Sequence, residues 1–319
     1  LLSEDTLATL RGMEQFGTMS SRQGQDLIIR GGGLRAPTTE VDCGNSGTTL
    51  RLLTGIASLL PATVTLTGDA SLQQRPMKPL LSALKEMGVS AASARNDGGA
   101  PLIIRGPNTG RWTHIKGDIS SQFISSLLIS SALKDLDTEI MLTSPLRSRP
   151  YVDITMDLME RFGGRSWETK NGFYVPGGQT YRPCSMTIPG DYSSAAFPLA
   201  AGTLAGKVTV KGLDPNDKQG DRRVVDMLEA FGARIRRDRD RVTAEGGDLV
   251  ANDLDLGDSP DLFPILAVVA TQADGVSTLG GAGHLRLKES DRIRATVTFL
   301  KAMGADIEER EDGCVVRGP

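Results

Sequence analysis

The sequence contains few of the residues that metal sites, disulfide frameworks and aromatic binding surfaces require. Among its 319 residues are 3 cysteines and 2 histidines, and aromatic side chains make up 4%. Cys43, Cys184 and Cys314 lie far apart and form no Cys-x-x-Cys spacing. A zinc site or a disulfide framework is therefore not expected, and we predict a reducing, cytoplasmic compartment.

A surplus of basic residues is also missing. Lys plus Arg number 36 against 39 Asp plus Glu, so the formal net charge is -3. This balance disfavours binding to nucleic acid or to an anionic membrane surface. No apolar run approaches the roughly 18 residues that a membrane span needs. The length predicts about two domains, at roughly 150 residues each.

What the sequence does contain is a repeated helix that ends in glycine. The glycines Gly17, Gly88, Gly163, Gly232 and Gly304 follow one another at intervals of 71, 75, 69 and 72 residues. Glycine at this place is typical of the left-handed residue that ends a helix. Apolar residues at i, i+3 and i+4 predict the helices Thr6–Gly17, Pro79–Gly88, Thr155–Gly163, Val224–Gly232 and Ala295–Gly304.

A second kind of helix, rich in Ser, Gly, Ala and Thr, alternates with the first. Small residues permit close packing, so we expect these helices to be buried: Gly47–Leu60, Ser121–Leu133, Ser193–Leu204 and Pro260–Gln272. An alternating strand follows each one, at Thr63–Thr67, Glu139–Thr143, Lys207–Lys211 and Gly275–Leu279. The repeated unit is therefore a buried helix, a strand, an amphipathic helix and two more strands, which is an α/β pattern.

The phase of the repeat predicts that the chain is a piece of a longer protein. The first copy lacks its buried helix, and Pro319 comes just before the next one is due. Leu1 is not an initiator methionine, and because no charged segment precedes an apolar one, we expect that nothing in this sequence is a signal peptide. We therefore expect a six-unit parent, and weak or no activity for this piece alone.

The buried helices begin with polar residues. Asn45 and Gly47 stand at the start of one, and Ser120, Ser121 and Gln122 stand at the start of the next. A helix N-terminus presents unpaired N–H groups that bind anions. Capping alone also explains Ser and Asn at these places. Recurrence at the same position of the repeat favours a shared ligand site.

Charged residues mark three further places. Lys288 and Arg292 would be like charges four residues apart on a helix, which favours an anion between them, although a solvated surface explains them as well. Arg75 and Arg149 each precede a proline at matching places of the repeat, which suits recognition of carboxylate or phosphate. Asp261 is either a helix cap or a general base.

These motifs, in this order, resemble those of the 5-enolpyruvylshikimate-3-phosphate synthases, a family of enolpyruvyl transferases, over essentially the whole chain. The matching segments are Gly44-Asn45-Ser46-Gly47-Thr48-Thr49 with Arg51, Gln74-Arg75-Pro76, Ser120-Ser121-Gln122-Phe123, Ser148-Arg149-Pro150-Tyr151, Gly190-Asp191-Tyr192-Ser193-Ser194-Ala195, Gln219-Gly220-Asp221, Asp261 and Lys288-Glu289-Ser290-Asp291-Arg292.

The resemblance implies a fold and a reaction. The fold is α/β, with two domains of repeated βαβαββ units that place buried helices inside and sheets outside, an inside-out α/β barrel. The domains are expected at residues 1–188 and 189–319. The reaction transfers the enolpyruvyl group of phosphoenolpyruvate to the 5-hydroxyl of shikimate 3-phosphate and releases phosphate. No metal, organic cofactor, nucleic acid or membrane is implied, and we expect a monomer.

The resemblance also implies roles for individual residues. Asp261 takes the proton of the 5-hydroxyl, and Glu289 handles the proton at the methylene carbon. Shikimate 3-phosphate is held by Ser120, Ser121, Gln122, Ser148 and Lys288. Phosphoenolpyruvate is held by Gly47, Arg75 and Arg292, with Gln122 at the junction. Asn45 and Tyr151 are further substrate-binding candidates.

Two departures from the family pattern keep alternatives open. The Lys-Ser-x-x-x-Arg segment, the Asp-His-Arg motif and a final Lys are absent, so a non-catalytic, anion-binding scaffold remains an alternative. His284 stands where many members carry Asn, or it is a plain surface histidine. UDP-N-acetylglucosamine enolpyruvyl transferase is a further alternative, although it is not expected to carry the serine pair with residues 288–292. Related RNA-end-processing proteins are disfavoured by the charge of -3 and the few aromatic residues.

Overall fold

The computed structural model of the protein describes residues 2–319, and its helices alternate with strands as the repeat predicts. The α-helices are α1 (Glu4–Gln15), α2 (Gly47–Ala57), α3 (Lys78–Glu86), α4 (Ser121–Ala132), α5 (Arg149–Arg161), α6 (Tyr192–Ala205), α7 (Val224–Ala230), α8 (Phe263–Ala270) and α9 (Arg292–Ala302).

The strands are short and lie between these helices. They are β1 (Met19–Gln23), β2 (Asp26–Arg30), β3 (Val41–Asp42), β4 (Thr63–Thr67), β5 (Ser90–Ser93), β6 (Leu102–Arg105), β7 (Trp112–Ile115), β8 (Thr138–Leu142), β9 (Trp167–Thr169), β10 (Gly172–Val175), β11 (Lys207–Lys211), β12 (Arg234–Asp238), β13 (Arg241–Glu245), β14 (Leu254–Asp255), β15 (Val276–Gly280), β16 (Asp306–Arg310) and β17 (Gly313–Arg317). The predicted α/β class is confirmed.

The same strand order recurs in several sheets. The orders β3-β4-β6-β5, β7-β8-β10-β9 and β14-β15-β17-β16 each begin with a parallel pair and continue with antiparallel pairs. The sheet β11-β13-β12 has the last three positions of this order. Strand pairing therefore repeats along the chain with the glycine-terminated helices.

Two compact units divide the chain. One comprises the residues up to Leu146 together with Thr155–Cys184, and the other comprises Arg147–Ile154 and Ser185–Pro319. In the second unit a core of buried residues from α6, α7, α8 and α9 packs against the inner faces of the strands. The predicted division at residues 188 and 189 stays a prediction.

The glycines that predicted the helix ends adopt the expected backbone conformation. Gly17, Gly88, Gly163, Gly232 and Gly304 follow α1, α3, α5, α7 and α9 with φ angles of 113°, 81°, 82°, 98° and 92°. Residues with a Cβ rarely adopt this left-handed region. The period of about seventy residues is thus confirmed by the backbone of every copy.

Close packing explains the small residues of the buried helices. A Cβ added at Gly55 of α2 would lie 2.5 Å from the hydroxyl of Ser126 on α4. The same hydroxyl donates to the carbonyl of Arg51 at 2.6 Å. Only glycine allows the two helices to approach this closely, and this contact brings the N-termini of α2 and α4 together.

Two helices begin three or more residues earlier than the apolar pattern predicts. α5 starts at Arg149 rather than Thr155, and α9 starts at Arg292 rather than Ala295. Asp291 caps α9 by accepting from the N–H of Arg294 at 3.0 Å. Because Lys288 is extended and lies before this cap, it does not share a helix face with Arg292, and that expectation is wrong.

Two further structural findings concern the described residues. None of their helices is long and apolar enough to cross a membrane. No group of three or more His, Cys, Asp or Glu side chains among them is arranged to hold a metal ion.

Candidate active site

The N-terminus of α2 brings several predicted residues of the first unit together. Ser46 caps the helix, accepting from the N–H of Thr49 at 3.2 Å. Next to it, the Asn45 side chain accepts from Arg75 at 2.5 Å and donates to Asp69 at 2.6 Å. Capping and a ligand site are therefore not exclusive here, because Ser46 caps while Asn45 positions an arginine.

Two guanidinium groups meet at Gly47. A Cβ added there would lie 2.8 Å from Nη1 of Arg75 and 3.0 Å from Nη1 of Arg51. The Nε atoms of both arginines are buried and have no hydrogen-bond partner among residues 2–319. Burial, reinforced by the charge of Arg75, lowers the pKa of Arg51 to about 10. Two adjacent cations beside a helix N-terminus form a site for an anion.

Gln122 joins the starts of α2 and α4. Its carbonyl oxygen accepts from Arg51 at 2.6 Å, and its amide donates to the hydroxyl of Thr48 at 2.7 Å. Ser120 precedes α4 without a side-chain capping hydrogen bond, and Ser121 is buried beside it. Asn45, Gly47, Arg51, Arg75 and Gln122 are called the arginine cluster below.

Four predicted residues of the second unit form a second hydrogen-bonded group. The hydroxyl of Tyr151 donates to Oδ2 of Asp261 at 2.9 Å, and Nη1 of Arg292 donates to Oδ1 of the same carboxylate. Arg292 also donates to both oxygens of Glu289, at 2.7 and 3.1 Å. Tyr151, Asp261, Glu289 and Arg292 are called the carboxylate cluster below.

The charges of the carboxylate cluster keep Asp261 ionised. Burial raises the pKa of Asp261, but the charges of Arg292 and Lys288 and the hydrogen bond from Tyr151 outweigh burial and hold it below its ordinary value. Asp261 is thus a carboxylate at neutral pH. It does not cap the helix that follows, because the N-cap of α8 is Leu262 and no side chain makes a capping hydrogen bond there.

Ser148 and His284 form a pair in the same unit. The hydroxyl of Ser148 lies 3.3 Å from Nε2 of His284, and Ser148 is buried with a φ angle of 55°. Burial, then the charges of Lys288 and Arg147, lowers the pKa of His284 to about 4. His284 is therefore neutral at physiological pH and contacts a predicted substrate-binding residue.

Arg149 does not match Arg75 as a ligand-binding arginine. Its Nε donates to Asp153 at 3.3 Å, one turn along α5, and its backbone N–H donates to Asp258 at 3.2 Å. Arg75, by contrast, has no carboxylate within ion-pair distance among the residues that the structure describes. The two arginines occupy matching positions of the repeat, but their hydrogen-bond partners differ.

A surface depression of about 510 Å³ adjoins the carboxylate cluster. It is lined by Ser193, Ser194, Phe197, Asp261, Pro264 and Arg292. Three residues to which the sequence analysis gave no role lie in or beside these groups. All three stand in segments that match the family motifs: Arg51 is also a charged residue on a buried helix, Asp221 ends its motif, and Ser193 begins a predicted buried helix.

The whole chain is similar to one family of known enzymes. A family model described as EPSP synthase (3-phosphoshikimate 1-carboxyvinyltransferase) matches residues 1–319. The 3-phosphoshikimate 1-carboxyvinyltransferase of Methanocorpusculum labreanum is 52% identical over 322 residues, which cover 100% of this chain and 76% of that protein. The one from Methanocaldococcus jannaschii is 44% identical over 324 residues, with the same shares covered.

Solved structures show the same fold. The EPSP synthase of Acinetobacter baumannii matches with a TM-score of 0.80 and 28% identity, covering 100% of this chain and 74% of that one. The enolpyruvyl transferase NikO of Streptomyces tendae matches with a TM-score of 0.69 and 16% identity, covering 98% and 73%, which is a likeness of fold alone.

Proposed function

Because the chain belongs to the EPSP synthase (3-phosphoshikimate 1-carboxyvinyltransferase) family, we propose that it transfers the enolpyruvyl group of phosphoenolpyruvate to the 5-hydroxyl of shikimate 3-phosphate. The family predicted from the sequence motifs is thereby confirmed. Phosphate leaves, and the product is an enol ether that serves the biosynthesis of aromatic amino acids.

The carboxylate cluster is the observation that carries this proposal. One guanidinium, that of Arg292, holds two carboxylates, Asp261 and Glu289, beside Lys288. A transfer that removes a proton from a hydroxyl and adds one to a carbon needs two proton-handling groups. Two carboxylates on one cation supply both groups and a charge for an anionic substrate.

The arginine cluster supports the binding of phosphoenolpyruvate. Phosphoenolpyruvate carries a phosphate and a carboxylate, and planar guanidinium groups bind both of these groups bidentately. Arg75 and the N-terminus of α2 at Gly47 offer such donors, and Gln122 lies on the same cluster. Asn45 keeps Arg75 in place through its hydrogen bond.

Serine hydroxyls and Lys288 support the binding of shikimate 3-phosphate. Ser120 and Ser121 stand at the uncapped start of α4, where N–H groups favour a phosphate. In the second unit, Ser148 and Lys288 surround His284 with a hydroxyl and a positive charge. In the same unit, Tyr151 donates to Asp261 within the carboxylate cluster.

The chemistry follows from these positions. Asp261 accepts the proton of the 5-hydroxyl as its oxygen bonds to the central carbon of phosphoenolpyruvate. Glu289, which takes part in its protonated form, donates a proton to the methylene carbon, and the tetrahedral adduct results. Glu289 then removes a methyl proton as the bond to phosphate breaks, and the departing phosphate takes the proton held by Asp261, so that the double bond and both carboxyl groups are restored. Fixed charges stabilise the anionic adduct because they need no reorganisation during the reaction.

The test is to measure phosphate release from phosphoenolpyruvate and to identify the product by mass spectrometry. We expect release that requires shikimate 3-phosphate and ceases when either substrate is omitted. UDP-N-acetylglucosamine in place of shikimate 3-phosphate should give no release. The Asp226→Asn variant, altered at an exposed carboxylate paired with Arg237, provides a matched control with unchanged release.

Two outcomes would contradict the proposal. Release with UDP-N-acetylglucosamine, but not with shikimate 3-phosphate, would identify the sister reaction. Calorimetric binding of both substrates without any release, even at enzyme concentrations that exceed the substrate, would identify a non-catalytic anion-binding scaffold.

Gly47→Ala is expected to weaken the binding of phosphoenolpyruvate without lowering the stability of the protein. The new methyl group would meet Arg75 and Arg51 at 2.8 and 3.0 Å and would displace their flexible ends. We expect affinity for phosphoenolpyruvate to fall about tenfold, which is roughly 1.4 kcal/mol. Stability should be unchanged or higher, because Ala in a helix is favoured over Gly by about 0.5–1 kcal/mol. Calorimetry measures the affinity, and thermal unfolding measures the stability. A loss of affinity together with a loss of stability would show that Gly47 is needed for folding alone.

We also propose that the protein acts as a monomer in the cytoplasm. All three cysteines are free thiols, and Cys43 and Cys314 are buried. Buried, unpaired thiols suit a reducing compartment. Sedimentation of the assay sample, with a mass near 34.0 kDa expected, and thiol titration of the denatured protein check the two parts of this proposal.

A further inference from the structure

Asp221 is a buried carboxylate to which the proposed reaction assigns no role. It lies in the short 3₁₀ helix Gly220–Arg223 of the second unit and is 2% exposed. Oδ2 accepts a hydrogen bond from the hydroxyl of Ser193 at 2.5 Å. Oδ1 is buried and has no hydrogen-bond partner among residues 2–319. A carboxylate in such surroundings is costly to keep ionised.

The groups around Asp221 connect it to the carboxylate cluster. Burial raises the pKa of Asp221 to about 6, with the Ser193 hydrogen bond opposing and the charges of Asp261 and Asp191 adding to the increase. Lys288 is the cation that acts in the other direction. Asp221 therefore changes its charge in the range where Asp261 is already ionised.

Tyr151 and Ser193 place the two carboxyl groups at one site. Burial, then the charges of Asp261 and Asp221, raises the pKa of Tyr151, whose hydroxyl donates to Asp261. Ser193 lines the same depression as Asp261, and its hydroxyl donates inward to Asp221. One carboxyl thus faces the depression while the other lies beneath it.

We propose that Asp221 is a positioning residue of the active site, where its charge, held by Ser193 beneath the depression, determines how strongly Asp261 accepts a proton. This inference rests on the proposed function for its consequence, but the electrostatic coupling itself does not require turnover. Pairs of titratable groups in contrasting surroundings are a usual means of dividing acid and base roles.

The direction of the effect follows from the sign of the charge. Above about pH 6 Asp221 is negative, and its repulsion raises the proton affinity of Asp261 against the cations Arg292 and Lys288. Below that pH Asp221 is neutral, so Asp261 becomes a weaker base. His284, whose pKa is lowered to about 4, is neutral in this range and does not account for the step.

Carboxyl ¹³C NMR of the full chain tests the coupling without substrate. Asp221→Asn and Asp261→Asn assign the two signals. We expect the Asp221 signal to titrate near pH 6 and the Asp261 signal to show an inflection at the same pH that is absent in Asp221→Asn. Ser193→Ala removes the hydrogen bond that favours the ionised form, so both inflections should move together to higher pH.

Kinetics test the consequence. The pH dependence of kcat/KM should have an acid limb near pH 6 that moves down by about one pH unit or more in Asp221→Asn and moves up in Ser193→Ala. At the plateau Asp221→Asn should lower kcat more than it changes KM, because a weaker base slows proton removal. The exposed control Asp226→Asn should leave the profile unchanged.

Specific results would overturn the inference. An Asp261 signal without an inflection near pH 6, or one that persists unchanged in Asp221→Asn, shows that the two groups are not coupled. Failure of Asp221→Asn to fold leaves the decision to Ser193→Ala, in which the two inflections must move together. Absence of turnover in the unaltered chain contradicts the proposed function, and the NMR titration then decides the coupling by itself.

Discussion

Asp261→Asn is expected to lower turnover by about 10²–10⁴-fold, the range that a general base commonly contributes. The asparagine keeps an oxygen that accepts from Tyr151 or Arg292, so the shape of the carboxylate cluster survives. It cannot accept a proton from the 5-hydroxyl. Steady-state kinetics measure the loss of turnover, and calorimetric titration measures the binding of each substrate.

Binding of phosphoenolpyruvate should not weaken in Asp261→Asn. In the unaltered protein Asp261 and Glu289 compete with any anion for Arg292, and the variant removes one of these competitors. An affinity that is equal or higher, together with a large loss of turnover, assigns Asp261 to proton transfer. Equal turnover, or a loss of affinity as large as the loss of turnover, would show that Asp261 is a structural partner of Arg292.

The regular part of the fold is predictable from the sequence because it depends on local chemistry. Glycine is the residue that adopts positive φ at little cost, so its spacing identified the ends of the helices. Alternation of apolar residues located β4 and β11 without error. Helix starts are harder to predict because they depend on which polar side chain caps the backbone. α5 and α9 begin six and three residues before the predicted positions, and α9 begins where Asp291 caps it.

The sequence predicted which residues belong to the site but not which of them contact one another. Motifs identified Asp261, Glu289 and Arg292, yet nothing local to residues 288–292 indicates that Arg292 binds a carboxylate 31 positions earlier. The pairing of Ser148 with His284 spans 136 positions, and that of Ser193 with Asp221 spans 28. Such contacts arise from the packing of several repeats, which a motif in a single segment does not describe.

The different environments of the two carboxylates of the cluster give them separate roles. Asp261 is half-buried, with 31% of its side chain exposed, and it accepts from both Tyr151 and Arg292. Glu289 is more exposed and lies against the other edge of Arg292, through Nε and Nη2. A single guanidinium therefore orients both carboxylates. The oxygens of Asp261 accept from Tyr151 and Arg292, whereas both oxygens of Glu289 accept from Arg292. Replacing either one alone should impair a different proton transfer.

Glu289→Gln is expected to lower kcat by about 10²-fold or more while KM for both substrates changes little. The amide keeps the shape of Glu289 and still accepts from Arg292, but it exchanges no proton with the methylene carbon. Exchange with the solvent is the distinguishing measurement. In D₂O the unaltered enzyme should incorporate deuterium at the methylene carbon of phosphoenolpyruvate and product, and Glu289→Gln should lose this incorporation.

The matched control is Glu308→Gln, because Glu308 is an exposed carboxylate paired with Arg310 and Arg317 and lies outside both clusters. Its turnover and deuterium incorporation should equal those of the unaltered protein. Asp261→Asn should reduce turnover as well, so the two variants are compared by incorporation per turnover rather than by rate. Incorporation that continues at the unaltered ratio in Glu289→Gln would remove Glu289 from proton transfer to carbon, and Glu289 would then be the residue that orients Arg292.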